Sequence, residues 1–393
     1  MSLQIAGPRV YTETTVLENT LVTLDEGLIT GIAPLAANSQ PPPVLTFPSS
    51  YHLVPGFIDL HTHGADGHDV MDATADALSG ICEALAAEGT TAFLATTMTA
   101  PANAIENALV AVKDFMQTQN PTQGALILGV HLEGPFLSVE KKGAQRGEDM
   151  CAPDIALMQA WEKISGNTIK LVTLAPEEKN GLALITYLKN QKIISSLGHT
   201  NATYAQAQAA IAAGSTYATH LFNAMRGIQQ REPGTVGAAL LSDAVMVELI
   251  VDGFHLHPAI VDLTLRVKGK ERIILVTDAM RAKCLQDGCY ELGGQAVHVK
   301  DGAARLSEGT LAGSVLRMPQ ALQNILDYTQ CDLHDAVKMA AENPARVLNI
   351  FSQKGSIAVG KDADLVVLND ELDVVLTIRG GEIVFSHSAY VVH

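Results

Sequence analysis

Cysteine is scarce and patternless in this 393-residue chain. Five residues, Cys82, Cys151, Cys284, Cys289 and Cys331, are scattered, odd in number and never form a CxxC. That excludes a zinc-ribbon spacing, argues against a disulfide framework and fits a reducing compartment. Positive charge is short as well: 26 Lys and Arg stand against 42 Asp and Glu, a formal net charge of −16. Such a balance argues against nucleic acid and anionic membrane surfaces as partners. An anionic small substrate stays open, because exposed charges are screened over about 8 Å at physiological salt and a local cationic pocket can outweigh the global field. No apolar run is long enough to span a bilayer, and the opening "MSLQIAGPRV" lacks a basic stretch followed by an apolar one. Internal repeats and low-complexity tracts are also missing. These absences lead us to expect a soluble, cytoplasmic protein.

What is present is apolar: 47% of residues are hydrophobic and 17% charged, enough for a sizeable core. From Val54 onward, short apolar runs alternate with helical patterns. The strand candidates are "GFIDLHTH", "TAFLATTM", "ALILGVHLEG", "IKLVTLAP", "KIISSLGHT", "YATHLFNAM", "VMVELIVDG" and "RIILVTDAM". Between them lie Ala- and Leu-rich segments such as "TADALSGICEALAAEG", "NAIENALVAVKDFMQ" and "YAQAQAAIAAG", several ending in the Gly that stops a helix. Eight strands in this alternation predict an α/β fold, a (β/α)₈ TIM-like barrel, over a doubly wound open sheet. The flanks alternate with period two instead. Residues 1–53 and 355–393 are expected to pair into one small β-sandwich domain, beside a barrel domain over 54–354.

In such a barrel, chemistry gathers at the C-terminal ends of the strands. In "PGFIDLHTHG" an apolar strand finishes in His61 and His63, and residues i and i+2 of an extended chain point to the same side. Strand 3 ends in Glu133, strand 5 in His199, strand 6 in His220 and strand 8 in Asp278. Four imidazoles and two carboxylates at matching places on five strands form a pattern for one or two divalent ions, Zn²⁺ first, with Fe²⁺, Co²⁺ or Mn²⁺ as alternatives. A Glu between two His pairs is placed to bridge two ions. Asp278 then reads as the acid/base that takes a proton from water and passes it to a leaving group, against the plainer reading of a helix N-cap. His52, His298, His334, His387 and His393 read as surface or loop residues. His68, His131 and His257 read as supporting or packing residues beside the site.

With these strands assigned, the chain resembles the amidohydrolase superfamily. Within it, the resemblance is to the N-acetylglucosamine-6-phosphate deacetylases, carried by "HLEGPFLS", "LGHTNATYAQAQAAIAAG", "THLFNAMRGIQQREPGTVGAAL", "VDGFHLHP", "LVTDAM", "LAGS" and "GKDADLVVL" along almost the whole chain. Strand 4 has no lysine at its C-terminal end, so the carbamylated-lysine bridge of dihydroorotase-like relatives is not available. The resemblance implies Glu133, His199 and His220 as metal ligands and Asp278 as catalytic acid/base. The retained His61 and His63 provide a second metal position. It also implies that Ala144, Gln145, Asn223, the backbone at Ala224, Arg231 and His255 grip the sugar phosphate, Arg231 reaching into the neighbouring subunit of a homodimer. Taken alone, Arg231 also reads as a solvated loop charge. Leu311, Ala312 and Gly313 of "LAGS" are implied as a lid-like loop near the sugar.

One position departs from the family pattern. Where relatives read KKGAH or KKGTH, this chain reads "KKGAQ", and Gln145 can donate a hydrogen bond but carries no positive charge. The expected activity is metal-dependent hydrolysis of the acetamide of N-acetyl-D-glucosamine 6-phosphate. Two alternatives are the galactosamine epimer as substrate and a catalytically silent sugar-phosphate-binding relative.

Overall fold

The computed structural model describes residues 2–35, 44–120 and 122–388, so His393 and the last residues of the C-terminal flank lie outside the described residues. Eight parallel strands form one sheet: Phe57–Thr62 (β1), Thr90–Thr97 (β2), Leu126–Glu133 (β3), Ile169–Leu174 (β4), Ile194–Leu197 (β5), Tyr217–Ala218 (β6), Met246–Leu249 (β7) and Ile273–Leu275 (β8). All eight positions of β2 and all six of β1 are buried. Helices cover the outside, as burial of both sheet faces requires. The fold is a (β/α)₈ barrel, as the alternation of runs predicts.

The circle closes beyond the end of β8. Asp278 N donates to His61 O at 2.8 Å, His63 N donates to Ala279 O at 2.8 Å, and Thr62 bridges Ala279 in parallel. The seam of the barrel therefore lies at the His61/His63 end of β1, and the backbone bonds that close it also place Asp278 there.

The helices follow their sequence punctuation. Ala75–Ala86 (α1) starts at Thr74, whose side chain accepts from Ala77 N. In the helix Tyr204–Ala213, Thr203 and Gln206 form a capping box and Gly214, at φ +131°, ends it. Three barrel helices outside the expected helical segments are also present: Ile155–Ile164, Gly234–Leu241 and Met318–Tyr328. Gly234–Leu241 is buried at almost every position, so it shows no polar face from which a period could be read.

Both flanks build a two-sheet sandwich. One sheet runs Leu28–Pro34, Thr20–Asp25, Leu3–Ala6, Val44–Thr46. The other joins the two ends of the chain, because His52–Pro55 pairs antiparallel with Leu365–Leu368 (Val54 opposite Val366) and parallel with Arg9–Tyr11. Ile5, Val22, Leu24, Ile29, Leu53, Leu365, Val367 and Ile378 fill the space between the sheets. His52, read as a surface residue, is buried in that joining strand with Nδ1 2.9 Å from Tyr11 Oη. A three-stranded antiparallel unit, Gly288–Leu292, Gln295–Lys300 and Ala303–Leu306, follows β8 and had no counterpart among the expected elements. It packs through Leu292, Val297 and Leu306 onto Met98 and Met280 and lies over the mouth of the barrel.

Candidate metal centre

The polar strand ends converge. His61, in the last turn of pleat of β1, is fully buried, with Nε2 3.4 Å from Glu133 Oε1 and 3.4 Å from Asp278 Oδ1. His63 Nε2 lies 3.4 Å from Glu133 Oε2 and 3.2 Å from Asp278 Oδ1. On the other side of Glu133, His199 Nε2 and His220 Nε2 each lie 3.2 Å from Oε1 and 3.1 Å from one another. Glu133 thus stands between two histidine pairs and turns one oxygen toward His199 and His220, the other toward His63.

The backbone aims these side chains by leaving regular structure. β5 stops at Leu197 and β6 at Ala218, earlier than their apolar runs imply. His199, His220 and Asp278 then occupy the left-handed region at φ +46°, +31° and +47°. For non-glycine residues this conformation is strained, costing of order 1–3 kcal/mol each, and it persists where surroundings over-determine it. Three such residues around one point mark a site held open against local preference. Gly143, at φ +55°, brings the "KKGAQ" loop close to the His199 ring, and a Cβ there would sit 3.3 Å from His199 Cε1.

Hydrogen bonds select the tautomers. His199 Nδ1 donates to Lys141 O at 2.9 Å, and His61 Nδ1 donates to Glu248 Oε2 at 2.9 Å, which leaves both Nε2 atoms free toward the centre. His61 Nε2 is completely buried and has no hydrogen-bond partner. A buried imidazole nitrogen with no hydrogen-bond partner, facing two carboxylates, fits a cation. Two trios, His61/His63/Glu133 and Glu133/His199/His220, have ligand atoms within 4.8 Å of one another. A third, His61/His131/Glu248, is taken up by the His61–Glu248 bond and by His131 Nε2 at 2.7 Å from Thr173 Oγ1.

The charges are mutually tuned. Burial alone would raise the Asp278 carboxyl, yet His61 and His63 hold it well below the usual carboxylate range. Burial alone would lower His63, but Asp278 and Glu133 lift it to about 9. A histidine raised from 6.5 when folded contributes stability that is fully present below pH 6.5 and lost as pH rises through about 9. A bound ion displaces that proton and binds more tightly as pH rises. The gap in Tm between metal-loaded and metal-stripped protein is therefore expected to widen from pH 6.5 to 9. Scanning calorimetry of both forms across that range checks this; a constant or shrinking gap contradicts the assignment of His63 to the ion.

Above the centre lies a cavity of ≈ 210 Å³. Its wall includes His63, Glu133, His199, His220 and Asp278 below, with Ala144, Gln145, Asn223, Ala224, His255, Leu311 and Gly313 around the rim. Leu292 and Thr310 come from or beside the three-stranded unit. Ala312 is not in the wall but fully buried in the small apolar cluster beneath it. Arg231 is exposed and does not line the cavity of its own chain. Asp278 is not an N-cap, since residues 279–282 are not helical.

Gln145 is nearly inaccessible, and its amide is engaged at both ends. Oε1 accepts from Thr99 N at 2.8 Å, which fixes the amide orientation, and Nε2 donates to Glu133 Oε2 at 2.7 Å. It braces the central carboxylate. Two residues escaped the sequence reading. Glu248 sits at the centre of "VMVELIVDG", where a carboxylate inside an apolar strand was the signal. Asp252 accepts from the backbone of Phe254 and His255 and receives His255 Nδ1 at 2.7 Å, which directs His255 Nε2 away from that bond.

A barrel with a carboxylate between two histidine pairs and an ionised aspartate just beyond its eighth strand defines a metal-dependent hydrolase class. The family model for the amidohydrolase family matches residues 52–384, and the chain belongs to that family. Within it, the chain is 43% identical to N-acetylglucosamine-6-phosphate deacetylase of Bacillus subtilis over 385 residues, 98% of this chain and 97% of the relative. It is 38% identical to the N-acetylgalactosamine-6-phosphate deacetylase of Escherichia coli O157:H7, covering 93% of this chain and 95% of that one. Among solved structures, a Mycobacterium smegmatis N-acetyl-D-glucosamine-6-phosphate deacetylase variant in complex with N-acetyl-D-glucosamine-6-phosphate superposes with a TM-score of 0.91 at 35% identity, over 98% of this chain and 99% of that one. No helix among the described residues is long and apolar enough to cross a membrane.

Proposed function

We propose that the chain hydrolyses the acetamide of N-acetyl-D-glucosamine 6-phosphate to glucosamine 6-phosphate and acetate. The observation that carries this reading is the placement of Asp278, ionised and 3.2–3.4 Å from the His61/His63 pair, on the floor of a cavity whose wall also holds Glu133, His199 and His220. Relatives with these names, matched along almost their full length, support the substrate class. Glu133, His199 and His220 would hold one divalent ion, and His61 and His63, together with Glu133, would hold a second. The mixed imidazole and carboxylate set suits Zn²⁺ first. An ion there supplies Lewis acidity and lowers the pKa of a water from 15.7 toward ~7.

The protein's own groups do the rest. Asp278 takes a proton as the water oxygen bonds to the acetamide carbon, then returns it to the sugar nitrogen as the C–N bond breaks. Acetate leaves with the water oxygen, and the amine stays on the sugar. Gln145 keeps Glu133 in register. His255, held by Asp252, and Asn223 with the Ala224 backbone contact the sugar and its phosphate, and Leu311 and Gly313 close over it. Arg231, pointing out of its own subunit, completes the phosphate site of a neighbouring chain, which makes the working form a homodimer. Arg suits phosphate because its fork of donors is bidentate. The terminal segments 1–53 and 355–393 form one domain and 54–354 the other.

The test is acetate release from the gluco and galacto 6-phosphates, with and without a chelator. Release is expected to be faster from the gluco epimer, abolished by chelation and restored by Zn²⁺. Release insensitive to chelator, or none from either sugar, overturns the proposal; faster release from the galacto epimer moves the substrate.

A further inference from the structure

Glu248 is the only carboxylate in β7 and is fully buried between Val247 and Leu249. One of its oxygens, Oε2, accepts two hydrogen bonds, from His61 Nδ1 at 2.9 Å and from the backbone N–H of His220 at 2.9 Å. These donors belong to different trios: His61 stands with His63 and Glu133, His220 with His199 and Glu133. The bond to His61 holds that ring in the tautomer that presents Nε2. The bond to His220 anchors the residue whose φ of +31° aims its ring at Glu133. A buried carboxylate is costly unless its partners are fixed donors, and these two donors are fixed by the barrel itself. No other described atom ties a ligand of one trio to a ligand of the other from outside the centre at such distances, apart from the shared Glu133.

We propose that Glu248 is a positioning residue that couples the two metal positions, so that its loss loosens both ions together. The inference rests on the two-position reading of the centre. Outer partners of metal-bound histidines typically contribute 10–100-fold in affinity. Here a single oxygen supports ligands on both sides.

The experiment measures metal stoichiometry and affinity by competition with a chromophoric chelator, on the full chain loaded with Zn²⁺. Wild type, Glu248→Gln, Glu248→Ala and the control His63→Ala are compared, and the unfolding temperature of each stripped protein is recorded alongside. Glu248→Gln keeps the shape and one acceptor oxygen, so it carries the test if Glu248→Ala does not fold. The expected result is a fall of about 10–100-fold at both positions for Glu248→Gln, while His63→Ala weakens one position alone. Wild-type affinity in a variant whose stripped form is merely less stable overturns the proposal, as does selective loss of one ion. A wild-type chain that holds one ion per subunit overturns it too. Metal binding is read without substrate, so failure of the proposed deacetylation would leave this outcome untouched.

Discussion

Asp278→Asn is expected to lower kcat by about 10²–10⁴-fold, the range that one positioned proton-transfer group contributes, with KM little changed. The argument starts from charge. Asp278 is buried, which alone would favour its neutral form, but in the metal-free centre His61 and His63 hold it ionised, and cations held there would favour the ionised form in the same way. In the proposed reaction it would therefore start as a base and become the acid only after taking the proton of water. Asn keeps the volume and one acceptor oxygen but has no place for that proton. An ion held by Glu133, His199 and His220 would not depend on Asp278, because those three converge without it. Steady-state kinetics with metal analysis of the same sample checks both halves. A variant that turns over within tenfold of wild type with its metal in place would remove Asp278 from the chemistry.

Glu133→Gln is expected to empty both positions and take activity with them. The central carboxylate presents Oε1 to His199, His220 and His61 and Oε2 to His63, while Gln145 donates to Oε2. An amide in this place has no good orientation. With its NH₂ toward Gln145, two donors meet at the distance of a hydrogen bond. With its NH₂ toward the histidines, a donor occupies the space of a cation. The loss in metal affinity should exceed the ~10–100-fold of an outer partner, and the bound-metal content of the purified protein should fall toward zero at both positions. Full occupancy in Glu133→Gln would mean that the histidines alone hold the ions, and the bridging geometry would be wrong.

Much of this centre was legible along the chain. Alternation of short apolar runs with helical periods is a local property, so the number of strands and the polar residues at or just after the ends of five of them could be read directly. The HxH spacing worked for the same reason: His61 and His63 face one way because a pleat has period two. The reading ran out where partners are distant. Asp252 holds His255 only because the loop after β7 folds back on itself. Gln145 looked like a donor for substrate, yet its amide is committed between Thr99 and Glu133, residues that meet it only when β2 and β3 lie side by side. The strand runs of β5 and β6 were read too long because the chain leaves the ladder to enter left-handed turns, a choice made by the site and not by propensity.

The sequence by itself determined the period of each element, the residue types at the strand ends and the joining of the two flanks into a second sheet system. These follow from alternation and composition, which act over a few neighbours. Only the tertiary structure decided which oxygen of Glu133 meets which histidine, that the barrel is sealed by the backbone of Asp278 against His61, and that one buried carboxylate on β7 touches both sides of the centre. Those facts depend on how eight strands separated by dozens of residues are staggered around a closed circle, and hydrogen-bond distances across that circle are set by the packing of the whole barrel.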